Sequence, residues 1–242
     1  MTKTLAIVGA GPGLGMGVAR AFGRNGFRVG LIARNRDTLD RMVGQLVDQG
    51  ITAAAFPADI RDPDTLTAAL TTVEDQLGPV EVLEYSPSPT GPITGATGTT
   101  TESAAAQFEL HVLGAITAVH TVLPGMLTRG QGTLLLTTGV SSTVPAPFLA
   151  NVGLAMAGLR NWAHTLHAEL RSRGIHVATV TIASGVIPGD PIADPDHIGA
   201  RYYQSHHRRD QAEEVIGDLD TFRRLVTEWT SNHRRSTSSV VK

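Results

Sequence analysis

Glycines come first among the residues whose type and spacing bear on chemistry. Gly9-Ala10-Gly11-Pro12-Gly13-Leu14-Gly15 follows a short apolar run and opens a segment of helical periodicity. Glycines in that setting permit a tight turn and let a pyrophosphate approach the backbone, where free N–H groups at the start of a helix meet its charge. The flanking strand and helix patterns make this a dinucleotide signature rather than a plain turn. Further on stands Ala33-Arg34-Asn35. Folds that favour NAD carry an acid at that place, about 20 residues past the glycines, to hold the ribose hydroxyls. A guanidinium suits a 2′-phosphate, so NADP(H) is expected in preference to NAD(H). Asp59, in Pro57-Ala58-Asp59-Ile60, has two readings: acceptor from an adenine amine, or cap of the helix beginning near Pro63.

Candidates for acid–base work are few. The chain has no cysteine, which excludes thiolate metal sites, disulfides and cysteine nucleophiles. Of 20 basic residues only Lys3 and Lys242 are lysines, which excludes any mechanism needing an interior lysine. His111, Tyr85 and Ser141 are the candidate donors, with a hydrogen-bonded structural histidine, a packing aromatic and a turn residue as their respective alternatives. Ser142 shares the turn reading, and Tyr202 and Tyr203 lie where a closing segment would bring them to a site. Arg160 can pair with a substrate carboxylate or with a neighbouring helix, and His164 and His167 read as bordering a subunit interface. His206 and His207 lack further ligands at a convincing spacing, so no metal is expected.

The elements that must position these groups follow from apolar patterning. Short apolar runs at 5–8, 29–33, 53–56, 80–85, 133–138 and 177–182 alternate with amphipathic segments near 14–25, 37–49, 63–77, 101–128 and 150–173. Near-continuous apolarity fits strands covered on both faces. The expectation is one α/β domain over 1–230, a Rossmann-like doubly wound parallel sheet in a three-layer α/β/α sandwich, with a flexible tail at 231–242. Helical segments at 198–207 and 221–229 complete it. Two Pro/Gly-rich loops, 86–101 and 184–195, fall at carboxyl ends of strands, where ligands bind in such sheets.

Composition excludes other classes. A formal charge of −2 gives no field for nucleic acid, and the locally basic end (Arg223, Arg224, Arg234, Arg235) reads as a solvated face. No run approaches a membrane span of about 18 apolar residues, and 5–8 is too short for a signal-peptide core. A cytoplasmic protein with a small-molecule substrate, no nucleic acid and no membrane is expected.

On Gly9, Gly13 and Gly15, Ala33-Arg34-Asn35, Asp59-Ile60 and the order of elements, residues 4–190 resemble the short-chain dehydrogenase/reductase family. The resemblance implies a nicotinamide cofactor, a substrate lid over 184–210, and a homodimer or homotetramer built on the helices at 101–128 and 150–173. It places Gly9, Gly11, Gly13, Leu14, Gly15, Arg34, Asn35, Asp59, Ile60, Ser86, Gly185 and Ile187 at the cofactor. It also implies an Asn, a Ser and a Tyr-x-x-x-Lys pair, and at those positions the chain has His111, Gly139, Val152 and Met156. No shift of register restores the pair, because the only tyrosines are Tyr85, Tyr202 and Tyr203. Val152, Met156, Leu159, Ala163 and Leu166 instead form an apolar stripe. Tyr85-Ser86-Pro87-Ser88 replaces the family's Asn-Asn-Ala-Gly, Ser184-Gly185-Val186-Ile187 stands near its Pro-Gly, and the seventh strand has at best a short substitute at 214–217. The expectation is an NADP(H)-dependent oxidoreductase with an atypical active site. The alternatives are a cofactor-binding sensor or scaffold without turnover, and a non-redox isomerase or lyase using the same pocket.

Overall fold

The computed structural model describes residues 3–238, with side chains through Ser231. In chain order the elements are β1 (Lys3–Val8), α1 (Leu14–Gly23), β2 (Phe27–Ala33), α2 (Arg36–Val47), β3 (Ala53–Pro57), α3 (Pro63–Leu77) and β4 (Val80–Tyr85). Then follow α4 (Thr101–Phe108), α5 (Gly114–Arg129), β5 (Gly132–Gly139), α6 (Ala150–Leu170), β6 (Ile175–Ile182), α7 (Pro195–Arg208), β7 (Glu213–Ile216) and α8 (Leu219–Ser238). All pairings are parallel, in the order β3-β2-β1-β4-β5-β6-β7. The sheet reverses direction between β1 and β4, and the loops leaving those two strands open the crevice where ligands bind in this architecture.

Local chemistry explains the boundaries. Asn35, Asp62 and Asp194 cap α2, α3 and α7 through their side-chain oxygens, and Pro63 and Pro195 open two of these helices where a missing N–H is harmless. One apolar layer joins the sheet to α3, α5 and α6, and a second joins it to α1, α2 and α7. This is the expected three-layer sandwich.

Three features depart from the sequence reading. The short substitute at 214–217 is a seventh strand, β7, paired in register with β6. Its two glutamates conceal it in the sequence: Glu213 is bound by Arg160 and Glu214 by Arg201 and Arg208. The helix expected over 101–128 is interrupted by a π-turn, Glu109–Leu113. By length and composition Thr101–Arg129 is apolar enough to cross a membrane, but half of that window is buried, with Ala115, Val119, Val122 and Met126 in the core. At the end, α8 covers the first part of the expected tail, and 239–242 lie outside the described residues.

The segment expected to act as a lid divides in two. Residues 184–194 form a loop, whereas α7 crosses α1 at Gly17 and Gly199, and a Cβ at either would collide with backbone of the other helix or of Pro195. Tyr202 is fully buried, and Tyr203 packs edge-on against Phe22 at 5.2 Å.

Because backbone atoms cannot yield as side chains do, Gly17→Ala should lower stability by about 2–3 kcal/mol. Gly44, exposed in α2 with open space around it, is the control; Gly44→Ala should raise stability by about 0.5–1 kcal/mol. Urea unfolding of both variants reads the difference, and a neutral Gly17→Ala would contradict the α1–α7 packing.

Candidate active site

The glycine turn is built by a close approach. Gly9 has φ +90°, and a Cβ there would lie 2.6 Å from the backbone N and Cα of Pro87. Only glycine lets the loop after β1 pass the loop after β4 at this distance. The turn is tied down by Gly9 and Ala10 N–H groups donating to the Ile32 carbonyl, at 2.9 and 3.0 Å, and by Ser86 N–H donating to the Val8 carbonyl at 2.9 Å. Helix α1 then begins at Leu14, and Gly13 at its N-cap has no side chain to offer. Met16 and Gly17 N–H groups donate to Gly11 and Gly13 carbonyls, which leaves the Leu14 and Gly15 amides for a ligand, as an anion-binding helix start requires.

A cleft of about 970 Å³ spreads from this turn. Gly9, Gly11, Gly13, Leu14, Gly15, Ser86, Thr137, Gly139, Ser141 and Gly185 line it. Its apolar lining includes Ile93, Leu149, Val152, Met156, Phe222 and Leu225. Ile187 also borders it, its N–H donating to the Ala193 carbonyl. A side cleft of about 200 Å³ shares Gly9, Gly11 and Pro87 and is lined by Arg34, Asp59, Ile60 and Arg61.

Arg34 is exposed at that side cleft and has no hydrogen bond or ion pair among the described residues. Asp59 grips Arg61, whose Nη2 lies 2.8 Å from Oδ2, and this hydrogen bond holds the carboxyl down at about 2. The capping alternative for Asp59 falls, because Asp62 caps α3. Asn35 spends its side-chain oxygen on the Thr38 N–H at 2.9 Å.

Several expected donors lie away from the cleft. Tyr85 is fully buried and donates its hydroxyl to the Leu110 carbonyl within the π-turn; burial pushes the phenol well above its ordinary range. His111 lies inside that turn, 1% exposed, with no partner for either ring nitrogen among the described residues. The expected hydrogen-bonded histidine is therefore absent, and burial lowers its pKa to about 4, leaving it neutral at pH 7. Ser141, by contrast, lies on the cleft wall in a 3-10 turn.

Other polar side chains have found protein partners. Arg160 binds Glu213 of β7 with Nε 2.9 Å from Oε1, so neither a substrate carboxylate nor a neighbouring helix is its partner. His164 and His167 turn onto β6 rather than outward, against Thr179 at 3.3 Å and the Val177 carbonyl at 2.7 Å. His206 meets Thr133 at 2.9 Å. No three His, Asp or Glu side chains come together as a metal-holding group among the described residues. Arg223 pairs with Asp220, whereas the side chains of Arg234 and Arg235 lie outside those described.

Sequence reasoning missed four contributors. Arg61 directly follows the Asp59-Ile60 pair, and Phe222 and Leu225 have the i, i+3 spacing of one helix face; both signals were available. The fourth, Glu84, sits in the apolar run of β4, fully buried, with Ser86 Oγ and Thr137 Oγ1 each donating to it at 2.9 Å. Burial lifts its pKa to about 8.

Comparison with known proteins agrees with this geometry. Residues 3–189 match the family described as short chain dehydrogenase. A 2-(S)-hydroxypropyl-CoM dehydrogenase of Xanthobacter autotrophicus is 29% identical over 74% of this chain and 69% of its own length. A ketoacyl reductase of Nostoc is 26% identical over 74% of the chain; the chain spans 62% of that protein, less than two thirds. A 2,3-dihydro-2,3-dihydroxybenzoate dehydrogenase of Bacillus subtilis is 26% identical over 91% of the chain and 80% of its own length. Among solved structures, a short-chain dehydrogenase from Rhodopseudomonas palustris superposes with a TM-score of 0.79 at 25% identity, covering 89% of this chain and 98% of its own. An actinorhodin polyketide ketoreductase solved with NADPH has the same fold, with a TM-score of 0.80 at 20% identity over 88% and 95%. The chain belongs to the short-chain dehydrogenase family.

Proposed function

We propose that this protein is an NADP(H)-dependent oxidoreductase of small apolar molecules, with a proton donor other than the family's tyrosine and lysine. The observation that carries the reading is the Gly9–Pro87 approach, which leaves the uncapped start of α1 facing a large cleft. Gly9 to Gly15 would hold the pyrophosphate, Arg34 and Arg61 the 2′-phosphate side, and Asp59 and Ile60 the adenine. Ser86, Gly185 and Ile187 border the part of the cleft expected for the nicotinamide. When bound, the cofactor supplies or accepts hydride.

Arg34, exposed at the side cleft with no hydrogen bond or ion pair among the described residues and only the charge of Asp59 near it, supports NADP(H) over NAD(H), since its guanidinium suits a dianionic 2′-phosphate. Val152 and Met156 make the cleft wall apolar where the resemblance implies tyrosine and lysine. Losing a general acid lowers a rate by about 10² to 10⁴, which favours substrates needing little proton assistance, such as conjugated carbonyls. The same apolar wall favours molecules without charge there. Exposed Phe108, Leu113 and Leu154 on α4, the π-turn and α6 support a homodimer or homotetramer through these helices. A cofactor drawn from the cell's own pool makes the protein cytoplasmic.

Fluorescence titration should show NADPH binding more tightly than NADH, and Arg34→Ala should weaken NADPH by about 10- to 100-fold while changing NADH little. Equal affinity for the two in the parent protein would remove the phosphate assignment. NADPH oxidation should proceed with enones and quinones and be far slower with simple ketones. Silence across that panel, with binding confirmed, would overturn the oxidoreductase reading in favour of a cofactor-binding protein without turnover.

A further inference from the structure

Glu84 is a carboxyl group in an apolar place. Its strand neighbours are Ile7 on β1 and Leu135 on β5. The charged groups of the helices on that face are engaged elsewhere: Arg20 of α1 binds Asp196 of α7, and Arg201 and Arg208 of α7 bind Glu214. Among the described residues Tyr202 is the titratable group that reaches toward it, with its hydroxyl 2.7 Å from Thr137 Oγ1. A buried carboxylate without a cation is strongly disfavoured, so the group is the neutral acid at pH 7.

The position of its proton follows from the hydroxyls. Thr137 is the partner of the buried Tyr202 hydroxyl, so Tyr202 donates to Thr137 and Thr137 donates to Glu84 Oε1. Ser86 Oγ, 2.9 Å from Oε2, donates to Glu84 when that group is a carboxylate; with Glu84 neutral and its proton on Oε2, the same contact runs in the opposite sense and Ser86 accepts. That turns the hydrogen of Ser86 outward, and Ser86 lines the cleft beside the glycine turn.

We propose that Glu84 is a buried proton store that makes Ser86 the hydrogen-bond and proton donor to an electron-rich oxygen of the molecule bound in the cleft. When that oxygen gains an electron pair, as its carbon accepts hydride from a reduced nicotinamide, the Ser86 O–H bond breaks and a bond from that hydrogen to the ligand oxygen forms. Ser86 takes the proton of Glu84 in the same relay. Glu84 is left as a carboxylate receiving two hydroxyl donors, Ser86 and Thr137, and is reprotonated from water when the cleft empties. Ser86 touches the ligand, and Glu84 acts through it as a positioning residue. The identity of the ligand rests on the function proposed above; the proton store does not.

The test has a part that needs no ligand. With its pKa raised from 4.5 to about 8 on folding, Glu84 keeps in the folded chain a proton that the unfolded chain loses, so stability falls as pH rises through that window. His111, His176 and His206, lowered from 6.5 to about 4 by burial, act in the opposite sense below 6.5. The falling limb between pH 6.5 and 8 therefore isolates Glu84. Thermal melts across this range should show the limb in the parent protein and its loss in Glu84→Gln, whose amide can donate to Ser86 and accept from Thr137 as the neutral acid does. Ser86→Ala should move the limb to higher pH, because the hydroxyl's hydrogen bond favours the carboxylate.

The ligand part is calorimetry with NADPH above pH 8 in buffers of different ionisation enthalpy. The parent should take up a proton fraction that approaches about one as the pH is raised, and Glu84→Gln none. An unchanged limb in Glu84→Gln, or an unmoved limb in Ser86→Ala, overturns the store. Equal proton uptake in the parent and Glu84→Gln overturns the donor role. Failure of NADPH to bind at all overturns the cofactor assignment, while the melts still decide the store.

Discussion

The absence of a side chain at Gly9 is the constraint on which the site depends. With φ +90° and the Pro87 backbone pressed against the space a Cβ would fill, Gly9 is where the loops leaving β1 and β4 meet. That meeting sets the direction in which α1 departs and leaves its first amides uncapped. A helix start of this kind has unsatisfied donors and a positive end, and both are relieved by an anion. The cleft with its apolar lining and the arginine-bearing side cleft both include Gly9, Gly11 and Pro87 in their walls.

What the sequence made legible is what depends on local pattern. The strand runs, the first five amphipathic segments and the glycine turn are each written within a few adjacent residues, and β1 through β6 lie where apolarity places them. What it concealed depends on distant partners. β7 carries two glutamates that read as solvent-facing until Arg160, Arg201 and Arg208 arrive from other elements. Gly17 and Gly199 are visible as letters, but their mutual contact is a property of two helices 182 residues apart in sequence. Tyr85 and His111 were ambiguous for the same reason: only the packing of α5 and the π-turn against β4 decides that they face the core.

Glu84 shows the same principle at the site itself. A single acid in the run Val80–Tyr85 looks like an interruption of a strand, and the fold turns it into a polar group with no neutralising charge, satisfied by hydroxyls alone. Such a group is sensitive to its partners, because a low-dielectric setting strengthens each hydrogen bond and penalises each missing one. In a chain without an interior lysine, with apolar Val152 and Met156 on the cleft wall, an acid held neutral by burial is a physically reasonable source of protons.

Whether a dinucleotide rests at the start of α1 is read most directly by thermal denaturation of the purified protein with and without NADPH. At about 100 times its dissociation constant a ligand specific to the folded state adds about 2.7 kcal/mol. In a chain of this size that is a rise in Tm of roughly 5–10 °C. A melting temperature left unmoved by millimolar NADPH and NADH alike would contradict the central claim.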